Sequence, residues 1–172
     1  IKDFIKGTWA EGAPIIPMSA LHKTNLDVLI QAMQEIFPTP KRDPNLDPLM
    51  YVARSFDVNK PGTPPENLKG GVIGGTIIQG KFEVGDEIEI RPGLRMIERG
   101  KVKFQPLFTE IVSLKSGNEF LEKAYPGGLI GVGTKLDPSI TKSDGLMGNV
   151  VGLPGKLPPV RMDLKLETYL LK

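Results

Sequence analysis

The stretch LKGGVIGGTIIQG, residues 68–80, places five glycines among the eleven residues from Gly70 to Gly80. The intervening Val72, Ile73, Thr76, Ile77 and Ile78 are strand formers, and glycine weakens a strand. Two readings account for the glycines. Gly70-Gly71 and Gly74-Gly75 form a turn and a bulge that bend a sheet corner, or they leave backbone bare so that a ligand can approach closely. Upstream, Arg54-Ser55-Phe56-Asp57 supplies a guanidinium whose fork of donors suits phosphate, and an aromatic ring that either stacks on a ligand or fills a core. The chemistry on offer is recognition rather than bond making. His22 is the single histidine, which speaks against a histidine metal centre or a Ser-His-Asp triad, and the chain has no cysteine to form a thiolate site or a disulfide.

A second cluster is electrostatic. RPGLRMIERGKVKF carries Arg91, Arg95, Arg99, Lys101 and Lys103 against Glu98 alone. A solvated hairpin is the plain reading and contact with an RNA backbone the sharper one. The net charge of the whole chain, +2, argues for no partner. Asp137, in KLDPSITKSD, reads as a turn residue, with Lys135 and Lys142 beside it as possible protein or RNA contacts. DVNKPG, residues 57–62, needs nothing beyond turn chemistry.

Short strands must position these residues. The chain has 172 residues, with 20 glycines and 16 prolines spread along it, a pattern of frequent turns. LMYVARSF, GGVIGGTIIQG, DEIEIRPG, KVKF, FTEIVSL, GGLIGVG and LMGNVVGL each read as a strand, and such a set predicts a closed antiparallel barrel, which leaves no unpaired edge. Before it, APIIPM reads as a buried strand. A helix follows, with Thr24 and Asp27 as an acidic capping box and Leu26, Leu29, Ile30, Met33 and Phe37 on one face. A strand and one helix cannot bury both faces of the strand, so residues 1–38 read as the tail of an α/β domain whose bulk lies upstream. Residues 39–47, rich in proline, read as a stiff linker, and residues 48–155 as the barrel. In residues 156–172, RMDLKLETYLLK alternates, with Met162, Leu164, Leu166 and Leu170 on one face, and predicts the first strand of a further β domain. No apolar run is long enough to span a membrane.

The order of these parts, with the signature running from Val72 through Gly80 to Gly85-Asp86-Glu87-Ile88, resembles the translational GTPases and their second domain in particular. The words RSFDVNKPG, LKGGVIGG, VGDEIEIRPG, GGLIGVGTKLDP and GNVVGLPGKLP resemble the gamma subunit of archaeal and eukaryotic initiation factor 2, and the compact loop after RPG resembles the archaeal form. The resemblance covers nearly the whole chain and implies a fold of an α/β remnant, a second-domain barrel and the start of a third domain.

It also implies function. Ser19, Ala20 and Leu21 match the last guanine-recognition loop. The family's phosphate loop, magnesium-binding switch residues and N-K-x-D motif have no match here, so GTP and magnesium belong to the parent protein, and this chain is expected to hold neither and to hydrolyse nothing alone. In elongation factors the aligned glycine segment helps form the pocket for the terminal adenosine of tRNA. That makes Arg54, Phe56, Gly70, Gly71, Val72, Ile73, Gly74 and Gly75 the implied tRNA-binding residues. Val72 and Ile73 would offer an apolar face to the base, and the backbone at Gly71 and Gly74 would meet its edge. The implied partners are initiator methionyl-tRNA, the alpha and beta subunits and the small ribosomal subunit, in the cytoplasm and without a membrane. Two other readings stand beside this one: a selenocysteine-specific or other elongation factor sharing the barrel, and a β-barrel interaction module that binds no nucleic acid.

Overall fold

The computed structural model describes residues 1–169 and divides into two compact units, one of Ile1–Lys41 with the residues from Met162, the other of Arg42–Arg161. In the first unit, α1 (Lys2–Ile5) is a single turn and α2 (Leu26–Ile36) is the expected helix. Leu26, Ile30, Met33 and Phe37 are all exposed, so the apolar face that the spacing predicts is present but uncovered. The capping box is not formed. Asn25 starts the helix from the left-handed region, at φ 57°, which asparagine tolerates. Its Nδ2 donates to the Pro17 carbonyl (2.7 Å), while Thr24 pairs with Ser19 through backbone hydrogen bonds. APIIPM is not a strand either: Pro14 and Pro17 have no N–H for a ladder, and no neighbouring strand pairs with it. Residues 161–169 are irregular and exposed, with no pairing partner among the described residues, since alternation alone does not make a strand. Leu170 lies outside the described residues.

The second unit is a barrel. Its strands are β1 (Leu49–Phe56), β2 (Val72–Gln79), β3 (Phe82–Glu83), β4 (Glu87–Glu98), β5 (Lys101–Ser116), β6 (Glu119–Leu121), β7 (Lys123–Ala124), β8 (Leu129–Thr134) and β9 (Val150–Gly152). Six of them close antiparallel in the order β4-β9-β1-β2-β8-β5, with β5 returning to β4; β6 adds a short edge, and β3 pairs with β7. The expected KVKF and FTEIVSL strands are one, β5. A single turn, α3 (Pro138–Thr141), follows β8.

Alternation sorts the side chains. On β2, Ile73 and Ile77 point inward, and with Met50, Val52, Ile88, Ile90, Ile111, Leu114, Val132, Leu146 and Val151 they fill the barrel. Residues 42–47, expected as linker, are tied to this unit. The Asp43 carbonyl accepts from Gly80 N–H (2.9 Å), Arg42 donates to the Ile78 carbonyl (3.1 Å) and Gln79 to the Asp47 carbonyl (2.9 Å).

The far end of the barrel is held by a buried carboxylate. Glu89 is 1% exposed. One oxygen accepts from Arg91 Nε (2.5 Å) and the other from Gly155 N–H (2.8 Å), while Arg91 reaches the carbonyls of Leu157 (3.0 Å) and Pro158 (3.1 Å). The turn after β9 is thereby stapled to β4. Removing the charge with Glu89→Gln leaves a poorly solvated arginine unpaired. It should lower barrel stability by on the order of 3 kcal/mol, the low end for buried pairs, because Arg91 keeps some water. A urea midpoint equal to that of the parent chain would overturn this account of the staple.

Candidate functional site

The glycine segment splits into two structures with different jobs. At Gly70-Gly71 the chain packs on its own barrel. A Cβ on Gly70 would stand 1.9 Å from the Thr134 carbonyl oxygen, and one on Gly71 would stand 2.3 Å from Thr141 Oγ1. Gly71 has both backbone groups engaged. Its N–H donates to the Leu136 carbonyl (2.8 Å), and its carbonyl accepts from Thr134 N–H (3.0 Å) and Oγ1 (2.7 Å). The loop ahead of it is locked by Asn59, which bonds Asp57 Oδ1 and both backbone groups of Lys69.

Gly74 and Gly75 sit within β2, opposite a bulge. β1 pairs Val52 with Gly75 and Arg54 with Gly74, so Ala53 is the extra residue. Gly75 faces inward, and a Cβ there would stand 1.8 Å from the Tyr51 carbonyl oxygen. Gly74 faces outward, and a Cβ on it would meet nothing closer than 3.8 Å. Its partner on β8 is Gly131, and Val72 pairs with Gly133. Two glycines side by side on the outer face leave a floor of bare backbone, bounded by side chains from five strands. The result is an open groove of about 490 Å³, with Arg54, Phe56 and Val58 on one side and Lys115, Phe120 and Leu129 on the other. Its lining is mainly apolar, with cations at the edges. The Lys115 ammonium lies 5.3 Å from the centre of the Phe120 ring.

Arg54 does not stand free at the rim. Its Nε donates to both oxygens of Asp144 (2.8 and 3.1 Å), and Asp144 Oδ1 also accepts from Ser55 N–H (2.9 Å). Hydrogen bonding from Arg54, then from Ser55, holds the Asp144 carboxyl below the usual carboxylate range. The same Asp144 contact raises the guanidinium further. Ser143 and Asp144 both take positive φ, 53° and 59°, a conformation costly for residues with a Cβ. The Asp144 hydrogen bonds oppose that strain and aim Arg54, whose remaining donors face solvent.

Of the residues expected to form a site, the structure brings Arg54, Phe56, Val72, Gly74 and Gly75 together around one groove. Ile73 is not among them. It is fully buried in the barrel, because side chains alternate along a strand and its neighbour Val72 faces out. Gly70 and Gly71 serve the packing just described, so the base-edge role read for the Gly71 backbone has no free donor or acceptor. Lys115, Phe120, Leu129, Gly131 and Asp144 were not anticipated. GGLIGVG did carry a signal, since Gly131 and Gly133 lie two apart and therefore on one face, but their pairing with β2 is not written in the sequence.

The other expected residues lie elsewhere. In the first unit, Ser19 Oγ accepts from His22 N–H (3.3 Å), and Leu21 is exposed. Among the described residues no group of three His, Cys, Asp or Glu could hold a metal, and the sequence has no phosphate-loop motif. The residues present do not fit a complete nucleotide site. In the barrel unit, Asp137 is the turn residue expected: it caps α3 by accepting from Ser139 N–H (2.8 Å), which also holds its carboxyl low. Lys135 bonds Glu110 (2.6 Å). No described helix is long and apolar enough to cross a membrane.

No protein-family profile matches the chain. Individual proteins do. It is 66% identical over all 172 residues to the translation initiation factor 2 subunit gamma of Pyrococcus furiosus, and 66% identical over the same span to that of Thermococcus kodakarensis. The protein of that name from Methanocaldococcus jannaschii is 64% identical over 171 residues. In each case the chain spans 42% of the relative's length. Identity at this level across the whole chain, carried on the barrel that the glycine words anticipate, places it in the family of translation initiation factor 2 gamma subunits.

Proposed function

We propose that this chain is the barrel-bearing part of a GTP-dependent initiation factor subunit that binds initiator methionyl-tRNA and delivers it to the small ribosomal subunit in the cytoplasm. In this reading the groove over Gly74 and Gly131 receives the terminal adenosine of the tRNA. The observation that carries it is the paired-glycine floor. A planar base needs a flat, unobstructed surface and apolar walls, and Gly74, Gly131, Phe56, Val72 and Leu129 supply both. Ala53, pushed out of register by the bulge, is where backbone polar groups leave the ladder to meet the base edge. Arg54 and Lys115 stand where the terminal phosphates would pass. The parent would bind the phosphates of GTP and magnesium through residues that this chain does not contain, with Ser19-Ala20-Leu21 at the base, and would assemble with alpha and beta subunits.

The glycines give the test. In the whole factor, Gly74→Val should melt near the parent, because its Cβ has room, yet weaken tRNA binding by about 1–3 kcal/mol, the scale of one stacked base. Gly71→Val should instead cost stability, about 1–3 kcal/mol, by overpacking against Thr141, with tRNA affinity per folded molecule unchanged. Arg54→Ala should lower tRNA affinity and reduce the salt slope by about one. A Gly74→Val factor that both melts and binds tRNA like the parent would leave the groove without this role.

The 172-residue chain should not bind GTP with sub-micromolar affinity. Tight nucleotide binding needs a phosphate cradle and a magnesium site, and Ser19-Ala20-Leu21 can offer only a contact to the base. Calorimetric titration decides this, and a sub-micromolar dissociation constant would refute it.

A further inference from the structure

The β4–β5 hairpin outgrows the barrel. β4 pairs with β9 only through Glu89, Ile90 and Arg91, and β5 pairs with β8 only from Ile111. Between them, Leu94–Glu98 and Lys101–Gln105 pair with each other alone. They form a two-stranded ribbon of five residue pairs, turned by Arg99 (φ 50°) and Gly100 (φ 77°), the two left-handed residues of a tight hairpin. The charge of the chain is concentrated here. Arg95, Arg99, Lys101 and Lys103 face Glu98 alone, a net +3 against +2 for all 172 residues. All five are exposed. Among the described residues, only Lys103 of these is paired, with Glu98, so three cations have no described carboxylate partner. The register puts Ile97 opposite Val102 at the tip, and Ile97 is 70% exposed.

We propose that this ribbon is an RNA-docking arm that lies on the sugar-phosphate backbone of an RNA duplex. The cations are spread over both faces and the tip, which suits a polyanion that surrounds the arm better than a single acidic patch. The one aromatic ring in residues 94–105 is Phe104, half-buried near the base of the arm, so the arm carries no series of exposed rings to serve as the stacking platform of a single-strand binder. Duplex RNA offers phosphates and a wide, shallow minor groove of riboses, which accommodate the cations and the Ile97–Val102 pair respectively. The arm is separate from the groove assigned to the terminal adenosine and shares no residue with it.

The probe is a labelled RNA duplex of about 20 base pairs, titrated with the 172-residue chain between about 50 and 200 mM salt. The expected result is binding whose logarithm falls linearly with that of salt. The variant R99Q/K101Q/K103Q should bind at least tenfold more weakly, with a slope smaller by about two to three. Glu98→Gln, which frees Lys103, should bind severalfold more tightly, and Gly74→Val should leave duplex binding unchanged. Circular dichroism and melting of each variant should match the parent, since the substituted charged side chains are exposed and a Cβ on Gly74 has room. The proposal is overturned if the parent chain does not retain the duplex near 100 mM salt. It is equally overturned if the triple variant binds with the parent's affinity and slope, if Gly74→Val abolishes duplex binding, or if an unpaired RNA strand of the same length competes as well as the duplex.

Discussion

Three residues close the barrel. Val150–Gly152 is hydrogen-bonded on one side to β1 and on the other to β4, and without it the sheet would present two long edges. So short a strand has little stability of its own. Its position depends on the turn at its C-terminal end, where the Glu89 carboxylate and the Arg91 guanidinium gather Gly155, Leu157 and Pro158 against β4. A buried ion pair rarely adds net stability over a packed apolar pair. Its value here is positional: carbonyls and an N–H at fixed places allow one arrangement of the turn. Asn149 does the same on the other flank, accepting from Gly93 N–H (2.7 Å) and donating to the Leu146 carbonyl (3.0 Å).

Closure makes the groove possible. β2 lies between β1 and β8, so the backbone around Gly74 is held from both sides and does not need a side chain to define its shape. The four glycines thus answer to two different constraints, and the division falls inside the second pair. Gly70, Gly71 and Gly75 are small because the barrel's own atoms occupy the space, whereas Gly74 is small with space left over. Only the second kind of glycine invites a ligand as its explanation.

The strands were legible because alternation and turn residues report directly on a sheet with one face buried. LMYVARSF became β1 without adjustment, and GGLIGVG became β8 to within a residue or two. The failures share one physical cause. APIIPM and the described residues 161–169 have strand-like patterns, but a strand exists only when another chain segment offers it hydrogen bonds, and no local pattern contains that information. The same limit hid half of the groove. Arg54, Phe56 and Val72 were legible, while Lys115, Phe120 and Gly131 belong to it through pairings between distant segments. Ile73 fell on the wrong side because a run of apolar residues does not say which parity faces in, and the packing of Ile73 with the other core residues decides it.

The pairing of β1 with β9 also has a bearing on how the protein is made. Leu49 is bonded to a strand that ends at Gly152, so the first strand emerges with one of its two neighbours still unsynthesised. At about 5–20 residues per second, the remaining hundred or so residues take on the order of ten seconds to appear. For that interval a nascent sheet containing Met50, Val52, Ile73 and Ile77 stays open along one edge, a condition that favours pairing with whatever other chain is nearby. The barrel is therefore a fold completed late, whose most exposed moment comes during its own translation.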